Sequence, residues 1–266
     1  MGIKLIALDI DGTLTGNLES TVSKRNLEAI TEAQRQGVFV TIATGRASFS
    51  TRPFWKLLHI EGPSIQYGGA WTVDTVTEEL LDSKSLDPLV VRDVMRFARE
   101  MGVSAQLYVG NTIYVGEENP FTSAYVKKNG MPVVVDPDIC ERLYENVPKL
   151  LAFSEAENEP AMRARFEERF AGKAHITRSQ STFIEINDFA ATKGGALSRL
   201  AEKMGIQREE VAALGDSYLD QDMIEWAGTG VCVENGAQEV KDASDVIAPA
   251  CADDGVAWYI EHYVLQ

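Results

Sequence analysis

Cysteine is scarce in this chain. Cys140, Cys232 and Cys251 are an odd number with no C-x-x-C spacing, so neither a disulfide framework nor a thiolate zinc site is expected. Histidine is equally thin: His59, His175 and His262 are scattered and read as structural or exposed side chains rather than a metal set. No apolar run approaches membrane-spanning length, and residues 1–8 pass straight into a strand-like segment without a leader-peptide pattern. The expectation is a cytoplasmic chain without a membrane partner. Positive charge is also short, with 25 Lys and Arg against 40 Asp and Glu and a formal charge of −15. With no basic tract to offset that field, a general nucleic-acid or anionic-membrane binder is not expected. A phosphorylated ligand stays compatible, because one bound cation can reverse the field locally.

What is present is ample core and a patterned set of acidic residues. At 266 residues and 45% hydrophobic content the chain suits one large or two moderate globular domains. The apolar run Ile3–Leu8 reads as a buried parallel strand. Directly after it stands Asp9-Ile10-Asp11-Gly12-Thr13. Open α/β sheets place their ligand crevice at this carboxyl end of the strands. Two carboxylates two positions apart can divide nucleophilic and proton-transfer work beside a hard cation, and Gly12 lets backbone approach a ligand closely. The plainer reading is an acidic turn.

Strand and helix then alternate. Ser23 is a plausible N-cap for a helix with Leu27, Ile30 and Ala33 on one face and Gly37 at its end. Val38–Ala43 reads as a second buried strand, with Thr44-Gly45-Arg46 following. A right-handed strand–helix–strand unit opens both loops on the same sheet edge. From residue 83 the rhythm changes to a helix over Pro88–Met101 and strand-like segments such as Val103–Val109 and Thr112–Val115. The expected organisation is an α/β chain. Its Rossmann-like, doubly wound parallel sheet core comprises residues 1–82 and 188–266, and an α+β cap domain, 83–187, is inserted into it. The core pattern resumes with a helix over Lys193–Met204 and a strand Val211–Leu214, and Gly215-Asp216-Ser217-Tyr218-Leu219-Asp220 comes next.

If that strand neighbours the first, Asp9, Asp11, Asp216 and Asp220 converge. Like charges so close stay ionised together only with a cation, and an oxygen-only donor set points to Mg²⁺. The alternative for Asp216 and Asp220 is that they cap and charge the next helix. Thr44 offers a hydroxyl, Gly45 an accessible N–H, and Lys193 a positive charge at a helix start. The macrodipole disfavours a cation there, which hints at an anionic partner, although a solvated surface lysine is the common alternative. Arg46 is a candidate substrate contact, with a surface ion pair as its plainer role.

These motifs, in this order and spacing, resemble the haloacid dehalogenase superfamily. More closely they resemble its Cof-type sugar-phosphate phosphatases, in which a large α/β cap separates the second and third motifs. The stretches Glu234–Lys241 and Asp254–Ala257 are also similar to that group's C-terminal pattern. The resemblance implies Asp9 as the nucleophile that forms an aspartyl-phosphate, and Asp11 as the acid and then the base. It implies Mg²⁺ held by Asp9, the Asp11 carbonyl and Asp216 with Asp220 nearby, and a phosphoryl group bound by Thr44 and Lys193; the Gly45 N–H is a further phosphate donor on the reading of the residues alone. The implied substrate is a small phosphorylated metabolite. Two positions depart from the pattern: Leu219 stands where Asn is usual, and Gly68-Gly69 where Asn-Gly is. A phosphomutase, or a phosphometabolite-binding regulator without turnover, are the competing readings. Asp11 argues against the second, since a pure binder needs no acid. A dehalogenase proper needs neither Asp11 nor a metal.

Overall fold

Strand β1 (Leu5–Leu8) is fully buried along its whole length, the fate of an uninterrupted apolar run inside a parallel sheet. The computed structural model describes residues 2–16 and 21–265, apart from the side chains of residues 128, 129, 179 and 180. After β1 come α1 (Lys24–Arg35), β2 (Phe39–Ile42), α2 (Ser48–Leu57), β3 (Pro63–Gln66), β4 (Trp71–Asp74) and β5 (Leu80–Ser83). Next are α3 (Pro88–Glu100), β6 (Ala105–Val109), β7 (Thr112–Val115), α4 (Pro120–Asn129) and β8 (Val133–Val135). They are followed by β9 (Lys149–Phe153), α5 (Glu159–Arg169), β10 (His175–Gln180) and β11 (Phe183–Asn187). The chain ends through α6 (Lys193–Met204), β12 (Val211–Gly215), α7 (Gln221–Trp226), β13 (Thr229–Val233), α8 (Gln238–Asp242), β14 (Val246–Ala248) and α9 (Gly255–Tyr263).

Contacts divide these elements into two units, Met1–Asp82 with Thr192–Gln266, and Ser83–Ala191. The second unit runs four residues beyond position 187, and the first resumes at Thr192. Residues 188–191 close a turn of their own, in which the Ala191 N–H donates to the Asp188 carbonyl and the Ala190 N–H to Asp188 Oδ1.

The first unit holds a five-stranded sheet in the order β14-β13-β12-β1-β2, parallel throughout. Leu8 pairs with both Leu214 and Ile42. Beyond that register the Asp9 N–H donates to the Leu214 carbonyl at 3.0 Å and the Ala43 N–H to the Leu8 carbonyl at 2.9 Å. The loops after β1, β2 and β12 therefore leave the sheet side by side. Helix α1 begins where Ser23 Oγ accepts the Asn26 N–H, and it buries Ala29, Ile30 and Ala33. Helix α6 is capped by Thr192 Oγ1, which accepts the Gly195 N–H, and ends at Gly205 in a left-handed conformation. Its Leu197 and Leu200 pack with Leu5, Ala7, Ala213 and Met223 under the sheet. Each large side chain buried this way contributes about 1.5–3 kcal/mol, so α6 is a firm mount for whatever stands at its first residue.

The second unit is a six-stranded sheet, β10-β11-β9-β6-β7-β8, antiparallel except for the β7–β8 pair. Alternate residues Leu107, Leu150, Ala152, Ile184 and Ile186 face a core shared with Val91, Val94 and Met95 of α3 and Phe166 of α5. The period-two alternation is that of a sheet with one face turned to helices. No helix among the described residues is long and apolar enough to cross a membrane.

One loop of the first unit sets the position of α6 directly. Tyr67, Gly68 and Gly69 all have positive φ, at 50°, 67° and 99°. A Cβ on Gly69 would lie 2.0 Å from the Thr192 carbonyl oxygen, whereas one on Gly68 would meet nothing within 4 Å. Gly68 sits near left-handed helical values, φ 67° and ψ 23°, a region Asn also tolerates. Gly68→Ala is expected to cost about 1–2 kcal/mol through backbone strain. Gly69→Ala should cost more, because α6 must move, and the difference between the two urea unfolding midpoints checks this.

Candidate active site

Asp9, Asp216 and Asp220 each present a carboxylate oxygen within 4.8 Å of the others'. The strand ends bring them together: Asp9 follows β1, Asp216 follows β12, and Asp220 closes the loop before α7. Lys193, first residue of α6, enters the same cluster, with Nζ 2.6 Å from Asp9 Oδ1 and 2.5 Å from Asp220 Oδ1. Lys193 is 2% exposed, Asp9 5% and Asp220 0%, so a solvated lysine is ruled out by its burial. The other oxygen of Asp220 accepts the Asp216 N–H, the Ser217 N–H and the Ser217 hydroxyl at 3.2, 2.9 and 2.7 Å. Asp220 makes no side-chain cap on α7; it folds back and shapes the loop that carries Asp216. Asp216 Oδ1 accepts the Thr13 hydroxyl at 2.9 Å. Gly12 has φ +88°, and a Cβ there would fall 2.4 Å from Asp216 Oδ2, so the close approach of the two loops requires a glycine.

The charges do not balance. Burial and the neighbouring Asp220 raise the Asp9 carboxyl well above the ordinary range, and Lys193 opposes that rise only in part. Burial, then Asp220, pushes Asp216 up to about 6, while the Thr13 hydroxyl pulls the other way. Burial disfavours the Lys193 ammonium, but Asp220 and Asp9 outweigh it and hold the lysine protonated above its usual range. Three carboxylates around one ammonium leave two excess negative charges when all are ionised. A hard divalent cation answers that excess, and an all-oxygen donor set suits Mg²⁺. The residues present therefore fit the metal.

The remaining sequence candidates lie on the same edge of the first unit but do different work. The Asp11 carboxylate is not part of the three-carboxylate group. Arg46 grips it instead, Nε to Oδ2 at 2.7 Å and Nη2 to Oδ1 at 2.6 Å. Thr44 is buried, its hydroxyl accepts the Arg46 N–H at 3.1 Å, and its carbonyl takes the Gly68 N–H. A Cβ at Gly45 would have the Leu219 Cδ1 as its neighbour at 4.0 Å, so Leu219 lays an apolar side chain along the loop after β2. Three further residues, to which the local pattern assigns no contact, complete the site. Thr13 orients Asp216, Asn235 Nδ2 donates to the Gly12 carbonyl at 2.8 Å, and Asp222 Oδ2 accepts the Gly194 N–H at 2.7 Å. Asn235 follows β13, another strand of the same parallel sheet, and that placement was the available signal for it.

A family model described as haloacid dehalogenase-like hydrolase matches residues 6–260. The chain belongs to that family, and among the phosphatases of its superfamily. It is 32% identical over 265 residues to the 5-amino-6-(5-phospho-D-ribitylamino)uracil phosphatase YcsE of Bacillus subtilis, covering 99% of this chain and 96% of the relative. A second Bacillus subtilis phosphatase named for the same compound, YwtE, is 29% identical over 283 residues and 97% of each chain. The solved structure of a haloacid dehalogenase-like hydrolase from Bacteroides thetaiotaomicron superposes with a TM-score of 0.88 at 32% identity, covering 97% of this chain and 98% of that one.

The raised Asp216 carboxyl has a consequence for stability. Its folded pKa, about 6, stands above its ordinary 3.8. The folded chain therefore binds this proton more tightly than the unfolded one. That contribution, about 3 kcal/mol at roughly 1.4 kcal/mol per unit, is present below the ordinary value and is lost as pH rises to the folded one. A divalent ion held by Asp216 would compete with the same proton. The increase in Tm on adding Mg²⁺ is accordingly expected to be larger at pH 7.5 than at pH 5, as followed by differential scanning fluorimetry in each buffer. An equal shift at both values would contradict it.

Proposed function

We propose that the protein is a Mg²⁺-dependent phosphomonoesterase acting on small phosphorylated metabolites, sugar or polyol phosphates in particular, through an aspartyl-phosphate on Asp9. The observation that carries this reading is the convergence of Asp9, Asp216 and Asp220 on the buried Lys193 ammonium at the carboxyl edge of a parallel sheet. The Bacillus subtilis relatives named for a phosphoribityl compound support a polyhydroxylated leaving group. The acidic surplus supports a small ligand rather than nucleic acid, and three free cysteines suit a cytoplasmic setting.

In this reading an Asp9 oxygen attacks phosphorus. The bond from phosphorus to the ester oxygen breaks, and Asp11 gives its proton to that oxygen as it leaves. Water then attacks the phosphorus of the aspartyl-phosphate, Asp11 takes the water's proton, and inorganic phosphate departs with Asp9 restored. Lys193 offsets the charge of Asp9 and stays protonated through both steps, because Asp220 flanks it throughout and its other neighbour is either the Asp9 carboxylate or the phosphoryl group that Asp9 carries. Thr44 and Gly45 would supply neutral donors for the phosphoryl oxygens, and phosphoryl transfer needs this positioning more than covalent help. Asp9, Asp216 and the Asp11 carbonyl, with Asp220 beside them, would hold a Mg²⁺ whose charge lets a phosphate dianion enter an acidic pocket. Asp220 is committed to Lys193 and to the loop N–H groups, so its part in this reading is chiefly to orient.

Hydrolysis of p-nitrophenyl phosphate should require Mg²⁺, stop with EDTA and resume when the ion is restored. Asp9→Asn should reduce kcat by at least about 10³-fold, the scale on which loss of a nucleophile is felt. Sustained turnover by the Asp9→Asn protein would remove Asp9 from that role. Phosphate release across a panel of sugar and polyol phosphates then orders the substrates by kcat/KM.

A further inference from the structure

Asp11 is asked to hand a proton to a leaving group, yet its carboxylate is held at both oxygens by one guanidinium. The two contacts, 2.7 and 2.6 Å, are short and parallel, the two-point geometry in which an Arg fixes the plane of a carboxylate as well as its charge. Arg46 is itself held from three sides. Its guanidinium lies 5.1 Å from the centre of the buried Phe54 ring, its N–H is bound by the Thr44 hydroxyl, and its carbonyl takes the Tyr67 N–H at 3.1 Å. The pair is sheltered, with side-chain exposures of 17% for Arg46 and 28% for Asp11. An ordinary surface ion pair has none of this support and contributes little.

We propose that Arg46 is the positioning residue for Asp11: it fixes the orientation of that carboxyl and receives the carboxylate left when the proton departs. The inference rests on the phosphatase reading given above and adds a residue to it. As the phosphorus–oxygen bond breaks, the Asp11 proton passes to the leaving oxygen, and the carboxylate so formed is the species able to accept both guanidinium N–H groups. When water later attacks, the same oriented carboxylate takes its proton. In this role Arg46 acts through Asp11, and its effect appears wherever the Asp11 proton is needed. Lysine at this position would keep the charge and lose the two-point grip.

The test compares p-nitrophenyl phosphate with phenyl phosphate, esters of similar size whose leaving groups differ in basicity. The parameter is kcat/KM, which covers the steps up to leaving-group departure. p-Nitrophenolate leaves well without a proton, whereas phenolate depends on the acid. Arg46→Ala is expected to lower kcat/KM for phenyl phosphate by about 10²-fold, the lower end of what a general acid contributes, and for p-nitrophenyl phosphate by at least about tenfold less. In an Asp11→Asn background the same change should add less than about twofold on either ester, since residues acting as a unit are not additive. Arg46→Lys should recover only part of the loss, and it carries the comparison if the alanine variant does not fold. Equal losses on the two esters, a full additional loss in the Asp11→Asn background, or complete recovery with lysine would each overturn the proposal. If the unmodified protein releases phosphate from neither ester, the phosphatase reading itself falls and the inference goes with it.

Discussion

The buried ammonium of Lys193 is the interaction on which the rest of the first unit's site depends. It joins Asp9, from the end of β1, to Asp220, from the loop after β12, at 2.6 and 2.5 Å in a place closed to solvent. A charge in such a place is tolerable only when paired, and breaking one partner of a buried pair typically costs about 3–5 kcal/mol. The lysine can be there because α6 starts there. Thr192 caps the helix, Gly69 lets a neighbouring loop press against the Thr192 carbonyl, and Leu197 and Leu200 anchor the helix below the sheet. Backbone packing thus delivers a cation where the helix macrodipole alone would disfavour one. The carboxylates supply the compensation.

Each of the four acidic side chains is handled differently, and the differences follow from what each touches. Asp11 is matched by Arg46, one charge to one. Asp9 and Asp220 share the single charge of Lys193. Asp216 has the neutral Thr13 hydroxyl as its side-chain partner, and its carboxyl is raised to about 6 by burial and by Asp220. The uncompensated charge is therefore concentrated on the side of the cluster where Asp9 and Asp216 meet. Within the phosphatase reading, the position with unmet demand for positive charge is also the position where a divalent ion would serve both carboxylates and an arriving phosphate. Asp220, already engaged at both oxygens, has the least to offer an ion and the most to do in holding the Asp216 loop.

Much of this was legible in the chain because it rests on short-range patterns. The apolar run before Asp9 and the one before Asp216 identify buried strands, and open parallel sheets bring such strand ends to one edge; β1 and β12 are indeed neighbours. Lys193 stood out as a cation at a helix start. The partners supplied by tertiary structure were not legible. Nothing local ties Thr13 to Asp216 or Asn235 to Gly12, since those hydrogen bonds span 203 and 223 positions. For Asp220 the local pattern pointed two ways, to a helix cap and to the acidic cluster. The geometry resolves it, because a side chain that accepts the N–H groups of Asp216 and Ser217 turns away from the helix that follows.

The loop after β2 shows how a motif whose residue types suit a ligand also carries internal contacts that only the fold reveals. Thr44-Gly45-Arg46 offers a hydroxyl, an N–H and a cation, and in the folded chain its first and last residues also make internal bonds. Thr44 binds the Arg46 backbone, Arg46 binds Asp11, and the Tyr67 and Gly68 N–H groups bind back to the Arg46 and Thr44 carbonyls. The result is a frame in which Arg46 holds both oxygens of Asp11, and within the phosphatase reading this would orient the proton carrier before a substrate arrives. Enzymes that rely on positioning rather than on covalent help need such frames, because a carboxyl free to rotate must be ordered again at every turnover. The loop's own hydrogen bonds, from the Tyr67 and Gly68 N–H groups to the Arg46 and Thr44 carbonyls, make no use of the side chain at position 219, so the apolar Leu219 beside Gly45 leaves them intact.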